Sequence, residues 1–269
     1  ELKTINAATS GDVVLNAETN SEDYTDTAAN LISAFTGITS HTGKLTVGDT
    51  NPVTAADLNT IFTFTAVVAP EALATSEITG SAADIVTAIG SITYDPNVAL
   101  TITGDDAATI EELKTINAAT SGNFTLNPAA NAADYSDTMA NFVAALDGIT
   151  SYAGRLSISD TGTVLATDLT NISKLTSGTT TATTPSLVTG SSAEIESAIG
   201  SVGLSNNVTL VISGTTAATI AELVTIMDTT TGAVVLNSET IAQNYDDTAA
   251  NLAAAFDGIN TLTGDLSIT

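Results

Sequence analysis

The sequence predicts an α/β solenoid of the leucine-rich-repeat kind, in which about ten helix–strand units stack with a parallel β-sheet. Three observations predict it. A segment of 11 residues, 1–11, returns almost unchanged at 112–122 and more loosely at 222–232. Apolar helix anchors recur inside this long repeat at steps of 26 to 29 residues. Each anchor segment is followed by a run in which apolar residues alternate with Thr or Ser. A helix between successive parallel strands predicts right-handed winding.

The long repeat divides the chain into residues 1–111, 112–221 and 222–269. The first two ranges contain four helix–strand units each, called modules below, and the third contains two. Together they are expected to form one continuous solenoid. The anchors are Leu2, Leu31, Leu58, Ile85, Leu113, Phe142, Leu169, Ile195, Leu223 and Leu252.

Helices are predicted around the anchors by spacing and by end signals. Ala28, Leu31, Phe35 and Ile38 have the spacing of one helix face, and both later copies repeat it. Start signals resembling capping boxes are Thr109 with Glu112, Thr219 with Glu222, Ser81 with Asp84 and Ser191 with Glu194. Glycines expected to end helices are Gly37, Gly90, Gly148, Gly200 and Gly258.

Strands are predicted where apolar residues alternate with small polar ones. These pairs are Leu45 and Val47, Leu156 and Ile158, Leu266 and Ile268, Val13 and Leu15, Phe124 and Leu126, and Val234 and Leu236. Asn16, Asn127 and Asn237 mark a corner at which side-chain amides satisfy turn backbone groups. Residues 62–68 suggest an extra strand, whereas residues 179–185 suggest a surface loop.

The ends of the chain suggest a segment of a longer array. Glu1 lacks the strand and helix start that precede Glu112 and Glu222. Neither end resembles a polar capping module, so we expect both ends to continue or to dock onto another copy.

Composition excludes several classes of function. The chain has 5 Lys and Arg against 30 Asp and Glu, for a net charge of −25. Such a surface repels nucleic acids and anionic membranes. No apolar run is long enough to span a bilayer, so no membrane insertion is expected. The chain contains no Cys, which excludes disulfides and thiolate metal sites.

Recurring carboxylates are the candidate metal ligands: Asp23, Asp26, Asp134, Asp137 and Asp247. One interpretation is a calcium site just before a helix, built from carboxylate and carbonyl oxygens. The other is that Asp26, Asp137 and Asp247 cap the helices. Asp160 is expected to be a solvated turn residue or a weak, exposed calcium ligand.

Enzymatic activity is not expected. His41 is the single histidine, and its equivalents in the other copies are Tyr152 and Leu262, which suggests a surface loop position. Any triad or His-based acid catalysis would depend on it. A polysaccharide-cleaving carboxylate cluster finds no support in the pattern either. The Thr-rich segment 176–186 could carry O-linked sugars.

The segment Glu1-Leu-Lys-Thr-Ile-Asn-Ala-Ala-Thr-Ser-Gly11, followed by a Val/Thr/Leu strand, resembles repeat modules of very large bacterial surface proteins, notably cyanobacterial ones. The resemblance covers the whole chain and rests on low-complexity repeats. It implies an extracellular or cell-surface protein of a surface layer, sheath, fibre or adhesin. No catalytic residue carries over from it.

The expected function is therefore structural: a repeat segment of an extracellular filament, surface layer or adhesin stalk that self-associates or forms part of a longer array. The alternative is a carbohydrate- or protein-binding solenoid that uses its strand face, with surface glycans among its partners. An exposed aromatic cluster on that face would favour the alternative.

Overall fold

A computed structural model describes residues 1–38, 41–65 and 67–269, and these residues form an α/β arrangement of helices and short parallel strands. They fall into two compact units. The first contains residues 1–131 and 144–149, and the second contains residues 132–143 and 150–269.

Helices lie at every predicted anchor. Those at the anchors are α1 (Leu2–Ala7), α3 (Ala28–Phe35), α4 (Ala55–Phe62), α5 (Ala82–Ser91), α6 (Ile110–Ala119), α8 (Met139–Leu146), α9 (Ala166–Ser173), α10 (Ser192–Ser201), α11 (Ile220–Thr229) and α13 (Ala249–Ala255). Three five-residue helices were not predicted: α2 (Ala17–Ser21), α7 (Pro128–Ala132) and α12 (Ser238–Ala242). Each of these follows one of the corner asparagines.

The first compact unit has two four-stranded parallel sheets. One contains β1 (Tyr24–Asp26), β2 (Leu45–Val47), β4 (Glu71–Ala72) and β6 (Thr93–Tyr94), in that order. The other contains β3 (Val53–Thr54), β5 (Glu77–Gly80), β7 (Ala99–Ile102) and β8 (Phe124–Thr125).

The second compact unit repeats this plan. One parallel sheet contains β9 (Tyr135–Asp137), β10 (Leu156–Ile158), β12 (Thr180–Ala182) and β14 (Val202–Leu204). The next contains β11 (Gly162–Leu165), β13 (Pro185–Gly190), β15 (Thr209–Ile212) and β16 (Val234–Val235). A third, two-stranded sheet contains β17 (Tyr245–Asp247) and β18 (Leu266–Ile268).

Each compact unit contains more than one parallel sheet, where the sequence predicted a single sheet. Residues 179–185 were expected to be a surface loop, which is wrong, because β12 and the start of β13 lie there. Thr180 and Ala182 are buried, and residues 183–184 form the corner between the two strands. The Thr-rich composition concealed the strand because Thr is as compatible with a pleated surface as with a loop.

Other boundaries also differ from the prediction. The extra strand at 62–68 is wrong in its described residues, since α4 runs to Phe62 and a turn follows; residue 66 lies outside the described residues. Residues 13–15 form no strand. Gly90 and Gly200 lie inside α5 and α10, whereas Gly37, Gly148 and Gly258 follow their helices with positive φ, as predicted.

Helix starts follow the predicted caps. Complete capping boxes join Thr109 to Glu112, Ser191 to Glu194 and Thr219 to Glu222. Ser81 accepts from the backbone N–H of Asp84, which is half of the motif. The helices present apolar faces to the strands, so that Leu31 and Phe35 of α3 are buried together with Leu45 and Val47 of β2.

Glycines allow neighbouring modules to approach closely at the corners. A Cβ on Gly154 would collide with the carbonyl oxygen of Ala133, one module earlier. The same collision with preceding backbone would occur at Gly43, Gly122, Gly178, Gly232 and Gly264. Because backbone meets backbone there, no side chain larger than hydrogen fits without displacing a module.

Candidate functional site

The carboxylates of Asp23 and Asp134, which precede α3 and α8, accept from backbone N–H groups. Asp23 Oδ1 accepts from the backbone N–H of Lys44 at 2.7 Å, and Asp134 Oδ1 accepts from that of Arg155 at 2.8 Å. In the third copy Asn244 Oδ1 accepts from the N–H of Asp265 at 2.7 Å. The shared task is therefore to satisfy an amide of the next module.

Asp26, Asp137 and Asp247 lie one residue before the helix cap. Each Oδ1 accepts from the backbone N–H of the following Thr and from the side-chain amide of an Asn four residues on: Asn30, Asn141 and Asn251. The hydrogen bond from Asn30 and then that from the Thr27 backbone lower the pKa of Asp26. Asn251 and Thr248 lower the pKa of Asp247 in the same way.

The interpretation of these three aspartates as the caps themselves therefore needs correction. Thr27 and Thr248 are the N-caps, because their hydroxyl oxygens accept from Asn30 and Asn251 backbone N–H groups. The aspartate braces the cap by holding both the Thr backbone and the Asn side chain. Sequence alone does not distinguish the two positions, since both residue types favour helix starts.

A second pair of aspartates reaches helix N-termini from further along the chain. Asp49 Oδ2 accepts from the N–H of Ala28 at 2.6 Å, and Asp160 Oδ2 accepts from that of Met139 at 2.7 Å. Negative charge at these ends is favourable to the helix dipole. Sequence reasoning placed Asp160 in solvent or on calcium, because the 21-residue separation from Met139 gives no local signal.

The part of the chain that the structure describes contains no group of three or more carboxylate, His or Cys side chains able to hold a metal ion. The five candidate carboxylates each have an oxygen engaged with an N–H donor of the protein. These contacts account for the carboxylates without a metal, and the calcium interpretation stays a prediction.

His41 is buried, so its interpretation as a surface loop residue is wrong. Its ring lies 4.8 Å from that of Phe35 and 5.5 Å from that of Tyr24, measured between centroids. The equivalent Tyr152 is also buried and donates its hydroxyl to the Ala133 carbonyl oxygen at 2.6 Å. Burial lowers the pKa of His41, and the charge of Asp23 opposes that shift.

The corner asparagines satisfy turn backbone, as predicted. Asn127 donates its amide to the carbonyl oxygens of Gly104 and Asp106 at 2.9 and 2.8 Å. Its Oδ1 accepts from Ala130 N–H at 2.8 Å. Asn237 bonds in the same way to Gly214, Thr216 and Thr240. One side chain thus closes a corner, joins it to the preceding module and starts a short helix.

A cleft lies in the third copy beside a position that is asparagine in the other two copies. Asn6 donates to carbonyl oxygens of Ser33 and Thr36, and Asn117 donates to those of Ala144 and Asp147. The third copy has Met227 at this position, and a cleft of about 750 Å³ lies beside it. Its lining includes Asp228, Thr230, Ala254 and Asp257.

The strand face offers few groups for stacking against sugars. All five tyrosines are buried or half-buried. Tyr94 and Tyr245 donate their hydroxyls to the carbonyl oxygens of Ala119 and Ala218. Among the residues that the structure describes, Phe62, beyond the strands at the end of α4, is the exposed aromatic. The hydroxyls of Thr176 and Thr184, in the segment considered for O-linked sugars, donate to the Gly154 and Asp160 carbonyl oxygens.

Comparison of the chain with models of protein families, with curated proteins and with solved structures gives no match. Among the described residues, no helix combines the length and apolarity that crossing a membrane requires.

Proposed function

We propose that this chain is a structural segment of a solenoid that builds an extracellular filament, surface layer or adhesin stalk. Its modules would wind in one direction, and it would self-associate or belong to a longer array. The net charge of −25 would keep such an array soluble and would disfavour unspecific pairing of strand edges.

The observation that carries the proposal is the repeated close approach of backbones at the corner glycines. Gly122 of the first compact unit and Gly232 of the second lie at equivalent positions, and each leaves no room for a Cβ. Thr120 and Thr230 next to them donate to carbonyl oxygens one module earlier. Each module therefore depends on its neighbour for packing and for hydrogen bonds, which is the property that makes repeat arrays extend.

The residues that an enzyme would need have structural partners. His41 is buried among aromatic rings, and the recurring aspartates hold backbone amides and helix starts. This supports a scaffold in preference to a catalyst. The resemblance of the 1–11 segment to repeat modules of bacterial surface proteins supports a place outside the cell.

Cryo-electron microscopy of native material tests the proposal. Fibres or lattices with a regular axial period would support a structural array. Dispersed short particles in the native material would contradict it.

A further inference from the structure

β18 exposes an apolar face. The equivalent face is covered in its sister strands, β2 and β10. Leu266 is 46% exposed and Ile268 is 71% exposed, whereas Leu156 and Ile158 are 0% and 3% exposed. Both strands have the same sequence, Leu-Ser-Ile. The difference therefore comes from their neighbours and not from their residues.

The face extends from the strand to the helix of the same module. Leu252 of α13 and Phe256, which directly follows α13, border it with Ile259 and Leu262, around a cavity of about 350 Å³ that also contacts Leu266. Exposed apolar side chains such as Leu266 and Ile268 beside an apolar cavity are typical of an interaction site.

The second compact unit contains a covered counterpart of this strand. β10 pairs with β9 on one side and with β12 on the other, with Leu156 opposite Thr180. The N–H of Leu156 donates to the Thr179 carbonyl oxygen at 3.0 Å. β18 pairs with β17, and no described strand lies on its second side.

In the first compact unit, the equivalent strand β2 is covered in the same way. Thr46 of β2 lies opposite Glu71 of β4, and the Phe35 ring packs against Phe64 with centroids 6.3 Å apart. Lys44 Nζ lies 3.1 Å from Glu71 Oε2. The same kind of segment, a helix followed by a short strand, thus covers both sister faces.

We infer that the face of α13 and β18 is a docking site for a helix–strand segment with the chemistry of residues 166–182. The inference rests on the proposed function and names the partner of one face. Charge distinguishes the two sister segments as occupants. Asp265 stands where Lys44 stands in the first copy, so a Glu71-like residue would repel it, whereas the equivalent Thr181 is neutral.

The experiment supplies this segment to the full chain. Thr269 corresponds to Ser159, so a copy of residues 160–204 is fused after Thr269. The measurement is hydrogen exchange at the Leu266 amide, by NMR, together with the thermal midpoint. We expect exchange to slow by at least about tenfold and the midpoint to rise, because the amide gains a strand partner. Unchanged exchange at Leu266 would overturn the inference.

Three controls separate docking from tethering. The same extension carrying Leu169→Asp and Ile172→Asp in the copied helix should give no protection. Thr181→Glu in the copied strand should weaken the protection, and Asp265→Lys should restore it. Ile268→Asp should abolish the gain in the extended chain but leave the midpoint of the unextended chain unchanged, because Ile268 is exposed there. Protection of Leu266 that persists with Leu169→Asp and Ile172→Asp, or with Ile268→Asp, would overturn the inference.

A second copy of this chain is the competing occupant. If sedimentation shows that the unextended chain dimerises, that Ile268→Asp makes it monomeric, and that Leu266 is already protected in the dimer, the face binds itself and the inference is wrong. These readouts concern one face in purified protein. The failure of the proposed function, by contrast, would be seen as absent periodic assemblies in native material.

Discussion

The Oδ1 atom of Asp134 accepts a hydrogen bond from the backbone N–H of Arg155 at 2.8 Å, and its Oδ2 lies 3.6 Å from Arg155 Nε. The equivalent pairs are Asp23 with Lys44 in the first copy and Asn244 with Asp265 in the third. The acceptor for the backbone is kept in all three copies. Its charge is negative beside a cation and absent beside an anion, so the side-chain pair adjusts to the charge of the next module.

Changing the charge at this position should therefore have different consequences in different copies. Asn244→Asp places a carboxylate beside Asp265, and we expect a loss of about 0.5 to 1 kcal/mol in the free energy of unfolding at low salt. Asp134→Asn keeps the backbone hydrogen bond and should stay within about 0.5 kcal/mol of the parent. Urea unfolding at two salt concentrations measures both. A destabilisation by Asn244→Asp that does not shrink in salt would contradict the electrostatic explanation.

Two glycines provide a matched test of module stacking. Gly154→Ala places a methyl group against the Ala133 carbonyl oxygen, and we expect it to cost about 1 to 3 kcal/mol. Gly200→Ala lies in α10 with nothing within 4 Å of the new Cβ, and should stabilise by up to about 1 kcal/mol. Thermal and urea unfolding compare the two variants. Equal effects would mean that the corners are not closely packed.

The missing helix cap in the third copy can be restored. Met227→Asn should let the amide donate to the terminal carbonyl oxygens of α13, as Asn117 does for Ala144 and Asp147. We expect a gain of about 0.5 to 1.5 kcal/mol, and a loss of similar size for Asn117→Ala. The free energy of unfolding measures both. No change in either variant would show that water donates hydrogen bonds to these carbonyl oxygens equally well.

His41 should make stability depend on pH. Its pKa is 6.5 in an unfolded chain and lower in the folded protein. The unfolded state therefore binds more protons between those two values, so the free energy of unfolding falls as the pH drops below about 6.5. Above that pH the neutral ring has no such penalty.

The control for His41 comes from its sister residues. His41→Tyr and His41→Leu copy Tyr152 and Leu262 and have no titrating group near pH 6. As the pH falls from 7 to 5, the free energy of unfolding of the parent should fall relative to that of either variant. A difference that is constant with pH would show that His41 is not buried as a neutral ring.

Calcium removal tests the interpretation of the recurring aspartates as calcium ligands. Because Asp23, Asp137 and their equivalents already accept protein N–H donors, we expect chelation to leave the thermal midpoint and any assembly unchanged. Scanning calorimetry with and without chelator measures this. A calcium-dependent rise of several degrees, lost on Asp137→Asn, would favour the metal.

The helices were predictable because their signals are local. Anchors such as Leu58 and Leu169 repeat at a fixed step, and capping boxes such as Thr109 with Glu112 lie within one turn. The division of the strands into separate sheets was missed because strand pairing is not a local signal: the predicted strands β10 and β16 belong to different sheets. Contacts between modules, such as Asp160 with Met139, depend on how the chain stacks.

His41 was misread for a related reason. The exchange of His, Tyr and Leu between copies suggested tolerance of solvent. In the structure, His41 and Tyr152 are large groups that fill the same buried space between a strand and a helix. Volume, and not polarity, is what the position requires.

The most direct test of modules completing one another is the amide exchange of two identical tripeptides in the monomeric chain at low concentration. Leu156 donates to Thr179 in a strand pair, whereas Leu266 lies in β18 with β17 as its described strand partner. We predict that the Leu156 amide exchanges at least about 100-fold more slowly than the Leu266 amide. Similar exchange rates for the two amides would contradict the account.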